Sequence, residues 1–286
     1  MARLRGTAAL VRNLSLVLMA IICLFPLYWS LVSSLKGAEE LYASVPSPLL
    51  KAPTLDNYRT VLAAEGGSNV PRNFLNSVLV TTGSVFLQLL AGAMAGYAFA
   101  RVRFRGRDLI FYSMVFIMFI PRVGGLMATY ELMDFLHLRN SHLGLILLFG
   151  SNVSLGLFVL RQAFLAIPRE MEESAFIDGA SLWQVFLRII VPMAQSSLVV
   201  VATLAFLASW GDYLTTYTML DREALYTISI AVRQIVTPPA GMGGSFSTDY
   251  GVDNAVFVLS SIPVILVYVG AQRWFVRGYQ EGILKF

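Results

Sequence analysis

Cysteine, histidine and lysine are nearly absent from this 286-residue sequence. Cys23 is the one cysteine, which excludes an intramolecular disulfide and a Cys-based zinc site. Inside an apolar run it reads as a small buried apolar residue. The three lysines are Lys36, Lys51 and Lys285, and none follows a G-x-x-x-x-G pattern, so this chain has no P-loop to cradle a nucleotide. Any ATP it depends on is bound by another chain. There is no G-x-S-x-G elbow and no H-E-x-x-H helix; the two histidines, His137 and His142, lie in one short loop and are expected to be solvated rather than metal-bound. Charge is scarce as well, at 13% of residues, about half that of an average soluble domain.

What is there in quantity is apolar: 57% of residues, so lipid is the expected solvent. Runs of about 20 residues, the length needed to cross a bilayer, fall at 14–35, 74–100, 109–130, 143–164, 196–220 and 252–275. The sequence therefore predicts an all-α integral membrane protein of six spans, one domain over residues 1–286, with both termini on one side. Most of the basic residues sit on that side: Arg3, Arg5 and Arg12, then Arg101, Arg103, Arg105 and Arg107, then Arg161, Arg169 and Arg188, and finally Arg273, Arg277 and Lys285. By the positive-inside rule both termini and the segment 168–195 are cytoplasmic, and 36–73 and 221–251 are external. The net charge of +4 reports topology rather than an anionic partner, and no nucleic acid is expected. The first apolar run is longer than a signal-peptide core and lacks a small-x-small cleavage site, so it reads as an uncleaved span.

The external segment 36–73 is rich in Pro and Gly, with a short helix expected around 55–64. Gly92 and Gly96 form a G-x-x-x-G pair in the second span, a face suited to close packing on another helix. Asp212, in "SWGDYLTTYTML", falls within the fifth span. A charge at mid-helix costs roughly 2.5–3.5 kcal/mol on insertion scales, so it either faces a bundle interior, an aqueous cavity or a partner, or lies at the interface if the span ends earlier. Intramembrane aspartyl proteolysis needs two facing carboxylates, and Asp212 is the only one well inside a span, so that class is not expected.

The most informative stretch is "ESAFIDGASLWQVFLRIIVP", from Glu173 to Pro192. Pro168 suits a first helical position, and Glu170, Glu172 and Glu173 favour the first turns of a helix over about 168–177. Gly179 is placed to end it in a left-handed conformation. Ser181 and Gln184 have the spacing of a capping box, so a second helix starts at Leu182 with Val185, Phe186, Ile189 and Met193 on one face. Such a projecting helix is shaped to enter a groove on another protein. The other reading, an amphipathic anchor on anionic lipid, predicts a basic polar face, whereas the first helix carries three glutamates and one arginine.

These residues resemble the EAA motif of permease subunits of ATP-binding cassette importers: Glu173, Ala175, Gly179, Ile189 and Pro192 match at every spacing, with Ser174 and Val191 as mild departures. The stretches "TLDNYRTVL", "FIPRVGGLMATYELMDFLHLRNS" and "QRWFVRGYQEG" are similar to the binding-protein-dependent carbohydrate importers, on the side of the maltose-permease-G-like subunit. That resemblance implies the type I importer fold, a bacterial or archaeal cytoplasmic membrane, and transport rather than catalysis. It implies that Glu172, Glu173, Ser174, Ala175, Phe176, Asp178, Gly179 and Ala180 couple to a separate ATPase homodimer, which binds the ATP and Mg; this chain itself needs no cofactor. It further implies a second homologous permease subunit and an extracytoplasmic binding protein delivering a sugar or sugar-like solute. Trp210, Asp212 and Tyr213 become candidates for the solute pathway, and Gly241, Met242, Gly243, Gly244 and Ser245 for a loop that probes the binding protein. Three places depart from the family pattern: Gly211 after Trp210, Met127-Ala128-Thr129 before Tyr130, and the tail "GYQEGILKF". A secondary transporter acting alone is the alternative function.

Overall fold

The computed structural model describes residues 2–43, 45, 47–63, 69–236 and 249–283. Among them the chain is helical, and its only β pairing is an isolated bridge between Lys36 and Pro53. The α-helices in order are α1 (Ala2–Ser34), α2 (Ala38–Leu41), α3 (Asp56–Leu62), α4 (Val70–Arg101), α5 (Arg107–Ile117), α6 (Leu126–Phe135), α7 (His142–Gly150), α8 (Ser154–Ala166), α9 (Glu170–Ile177), α10 (Leu182–Val185), α11 (Val191–Met193), α12 (Gln195–Trp210), α13 (Leu214–Met219), α14 (Ile228–Val236) and α15 (Tyr250–Ile283). The chain divides into two compact units, Met1–Pro71 with Ala231–Ile262, and Arg72–Ile230 with Pro263–Phe286.

Three helices among the described residues are long and apolar enough to cross a membrane alone: Leu10–Ser34, Val70–Arg101 and Tyr250–Phe275. Two more candidates are bent pairs, α7 with α8 at 45°, and Leu182–Met193 with α12 at 79°. The expected third span, 109–130, is not one helix. α5 stops at Ile117, and a turn and a 3-10 segment (Arg122–Gly125) precede α6. Pro121 has no N–H for an i→i−4 bond and biases the residue before it away from helix, and Gly124 and Gly125 lower helix propensity further. The expected span 196–220 is broken too, at Gly211–Tyr213.

In the first unit the end of α1 is tied down by Asn57 on α3, whose Nδ2 donates to the carbonyls of Ser34 and Lys36, both at 2.9 Å. Tyr58 adds a 2.7 Å hydroxyl contact to Ser34. Lys36 is buried; its ammonium donates to the Ser47 carbonyl and lies 3.6 Å from Glu40, so the charge is paired where lipid or protein denies it water. The helix expected around 55–64 is α3. The apolar stretch of α1 over Leu10–Ser34 is almost wholly exposed, which leaves its flank free for lipid or a partner.

The second unit is built around α4. Gly92 and Gly96 let it approach α8 closely: a Cβ on Gly96 would lie 3.2 Å from the Arg161 backbone nitrogen and 3.3 Å from Leu160. In lipid, where apolar burial gives little drive, such close packing is what holds helices together. Below this contact Tyr97, Leu160, Phe164, Val185, Phe186 and Ile190 form a buried core. The other end of α4 meets the segment after α13: Asn76 Nδ2 donates to the carbonyls of Ala224 and Tyr226, each at 2.9 Å, and the Ile228 N–H donates to Ser77 Oγ at 2.7 Å.

Candidate functional site

The elbow at 177–181 is built entirely from local rules. α9 ends in a full Schellman motif: the Ala180 N–H donates to the Ala175 carbonyl (2.9 Å) and the Gly179 N–H to the Phe176 carbonyl (3.0 Å). Gly179 takes φ +82°, where an L side chain is strained, and this explains the glycine. Ser181 then opens α10 with a complete capping box, its N–H donating to Gln184 Oε1 at 2.7 Å while its Oγ accepts from the Gln184 N–H. The sequence anticipates each of these three features. It does not anticipate the path of the chain beyond them: α10 widens into a π turn at Phe186–Ile190 before Pro192, and α12 leaves at 79°.

The residues grouped for coupling divide between two faces. Ala175 and Ala180 are half-buried and pack on the core. Glu173, Ser174, Phe176, Asp178 and Gly179 are exposed, and so is Ile177, at 86%. Glu172 is set apart from this outward group. It is buried at 6% exposure, its Oε2 accepts from the Tyr97 hydroxyl at 3.0 Å, and its Oε1 is ion-paired with the Arg101 Nε. Arg101 Nη2 donates in addition to the Ile167 carbonyl at 2.7 Å, just before α9. From sequence, Arg101 reads only as part of a basic loop. The single local hint is that Glu172 and inward-facing Ala175 are three apart, on one side of the helix.

The pathway candidates sit elsewhere, and of the two settings open to Asp212 the structure has the one in which the helix ends before it. Asp212 is not at mid-helix: α12 ends at Trp210, and the carboxylate caps the start of α13, Oδ1 accepting from the N–H groups of Thr215 (2.9 Å) and Thr216 (3.1 Å) and Oδ2 from Thr215 Oγ1 (3.0 Å). Its backbone carbonyl accepts from Ser229 Oγ at 2.8 Å. Trp210 is buried, edge-on to Phe74 and stacked on Phe206, each at 5.5 Å between ring centres, and Tyr213 stacks on Tyr217 at 5.4 Å. A polar notch the sequence does not single out lies between α4, α8 and α12: Gln88 donates to the Asn152 carbonyl beside a cavity of about 50 Å³. Gly241, Met242, Gly243, Gly244 and Ser245, expected to probe a binding protein, lie outside the described residues.

A second polar cluster centres on Arg139. Its guanidinium pairs with Asp134 at 3.0 Å and Asp221 at 2.9 Å and lies 4.0 Å above the Tyr130 ring. The hydrogen bond to Asp134, then the Asp221 charge, hold it above its ordinary pKa. Asn140, in the left-handed region, accepts from the N–H groups of Asp221 and Arg222, and His142 Nε2 lies 3.0 Å from the Leu225 carbonyl. Burial pushes the nearby Tyr226 hydroxyl up, reinforced by Tyr217, Glu223 and Asp221. These contacts bind the 134–142 loop to 219–226 structurally; among the described residues no cluster of three or more His, Cys, Asp or Glu forms a metal site.

Comparison with known proteins matches residues 88–281 to the family described as binding-protein-dependent transport system inner membrane component. The chain is 31% identical to the galactooligosaccharides transport system permease protein GanQ of Bacillus subtilis, over 95% of this chain and 94% of that one. It is 29% identical to the diacetylchitobiose uptake system permease protein NgcG of Streptomyces coelicolor, over 97% and 89%. Its fold matches a chain of a bacterial ABC transporter involved in the import of the acidic polysaccharide alginate, with a TM-score of 0.83 at 22% identity, over 94% of this chain and 97% of that one. With more than half its length inside the family model and the elbow of α9 and α10 within the matched region, this chain belongs to the binding-protein-dependent transport system inner membrane components, transport subunits rather than catalytic enzymes.

Proposed function

We propose that this chain is one of two homologous membrane subunits of an ATP-driven importer for a sugar or sugar-like solute. It sits in a bacterial cytoplasmic membrane with both termini inside, as the distribution of arginines favours. Six crossings are retained if α5 and α6 together make the third, as a broken helix whose freed backbone groups are satisfied by protein. A homodimer of ATP-binding subunits holds the ATP and Mg, and an external binding protein delivers the solute. ATP binding draws the ATPase pair together, α9 moves with it, and the spans rearrange to open the pathway outward. The carbohydrate assignment rests on the cargoes named for GanQ and NgcG, both oligosaccharides.

The observation that carries this reading is the outward face of α9. Glu173, Ser174, Phe176 and Ile177 are exposed on a helix whose end is fixed by Gly179 and the Ser181–Gln184 box, a rigid projection with an apolar tip. An apolar residue 86% exposed at a sharp elbow is suited to a protein groove. Gly179→Leu should abolish uptake and co-purification of the ATPase subunit while membrane insertion stays normal; wild-type uptake in that variant overturns the assignment. Mass spectrometry of the solute released from the cognate binding protein tests the carbohydrate class. Uptake into liposomes holding this chain alone, without ATP, would instead establish a secondary transporter.

A further inference from the structure

Glu172 stands among the residues that face outward along α9, yet it points the other way. It joins Tyr97 and Arg101 at the end of α4, and Arg101 also holds the Ile167 carbonyl at the entrance to α9. The Arg101 and Glu172 side chains are 8% and 7% exposed, so the pair is desolvated. Such a pair adds little net stability compared with an apolar substitute, but it fixes one arrangement, because removing either partner strands a buried charge. The Tyr97 ring lies 6.2 Å from Phe164 and 5.1 Å from Phe186, which locks the phenol against α8 and the π turn.

The element held in this way is a single 32-residue helix with no proline beyond its first turn. From Arg101 back to Asn76 it covers about 37 Å at 1.5 Å per residue, more than the roughly 30 Å of bilayer hydrocarbon. At the far end Asn76 and Ser77 grip the backbone of Ala224, Tyr226 and Ile228. α4 is thus clamped by polar contacts at both ends.

We propose that Glu172 is a positioning residue for energy coupling: its buried clamp to Arg101 and Tyr97 makes α9 and α4 move as one body, and α4 carries that displacement to the segment 224–228 on the opposite side of the membrane. The proposal rests on α9 being the helix that engages the ATPase. It assigns Glu172 to transmission and Glu173, its exposed neighbour, to docking.

The test uses the intact transporter, purified with its partner subunits and reconstituted with its binding protein, and measures solute imported per ATP hydrolysed. That ratio is unaffected by the fraction of complexes that fold, since misfolded complexes drop out of both measurements. Glu172→Gln should keep the ATPase bound yet lower the ratio by about tenfold, as for a typical coupling free energy. Tyr97→Phe, which removes one hydrogen bond and leaves the ion pair, should lower it by about twofold. It also serves if Glu172→Gln fails to insert in the membrane. An unchanged ratio in both variants overturns the inference. Loss of the ATPase from Glu172→Gln at the same level as from Gly179→Leu also overturns it, because Glu172 would then be a docking residue. If the wild-type complex itself shows no ATP-dependent uptake, the coupling reading of α9 falls, and this inference with it.

Discussion

Two breaks interrupt the helices of this chain with the same pair of residues in opposite order, Asp178-Gly179 at the elbow and Gly211-Asp212 after α12. In the first, the glycine does the structural work. It takes φ +82° and closes the Schellman motif, while Asp178 is simply exposed. In the second, Gly211 keeps an ordinary right-handed conformation (φ −88°, ψ −1°), and the aspartate does the work by capping α13. Position decides the role of each residue here: Gly179 supplies the left-handed end of α9, and Asp212 supplies the acceptors at the start of α13.

Substitutions sharpen that contrast, and the largest effect belongs to Gly179. No atom lies within 4 Å of where its Cβ would be, so the strain in Gly179→Ala is purely conformational, about 1–2 kcal/mol. Denaturant unfolding of the purified complex should register it. Asp212→Ala removes an acceptor for two backbone N–H groups and one hydroxyl, and a lost cap of this kind costs about 1 kcal/mol. The same unfolding experiment measures that, and an undiminished midpoint would mean that the carboxylate serves the pathway and not the fold. Gly211→Ala should be the mildest, within about 0.5 kcal/mol of wild type, because its Cβ would meet only the Leu207 carbonyl at 3.5 Å. If Gly179→Ala and Gly211→Ala unfold alike, the distinction between the two breaks fails.

The same contrast shows what is legible in the sequence. Gly179, the Ser181–Gln184 box and the Gly92/Gly96 face are each specified within a few residues, and the structure has all three. Hydropathy misplaces Asp212 because it sums over a window and cannot see that two residues end a helix inside an apolar run. The continuous span over 109–130 fails for the same reason at Pro121. Glu172 groups with its exposed neighbours in the sequence because its partners, Tyr97 and Arg101, lie on another helix far back in the chain. Periodicity places a residue on a face of its own helix and says nothing about what approaches that face.

The wide turn at Phe186–Ile190 has a consequence of another kind. The Val191 N–H reaches back five residues to the Phe186 carbonyl, one more than an α-helix uses, ahead of Pro192, which has no N–H to give. The segment therefore holds one surplus residue, wound in as slack. Removing a residue there would let it relax to ordinary winding and leave the elbow close to its present place, whereas removing one from a regular turn would draw the elbow about 1.5 Å along the axis and turn it by about 100°. The joint between the elbow and α12 thus has a tolerance of one residue: the wide turn stores it without moving either neighbour.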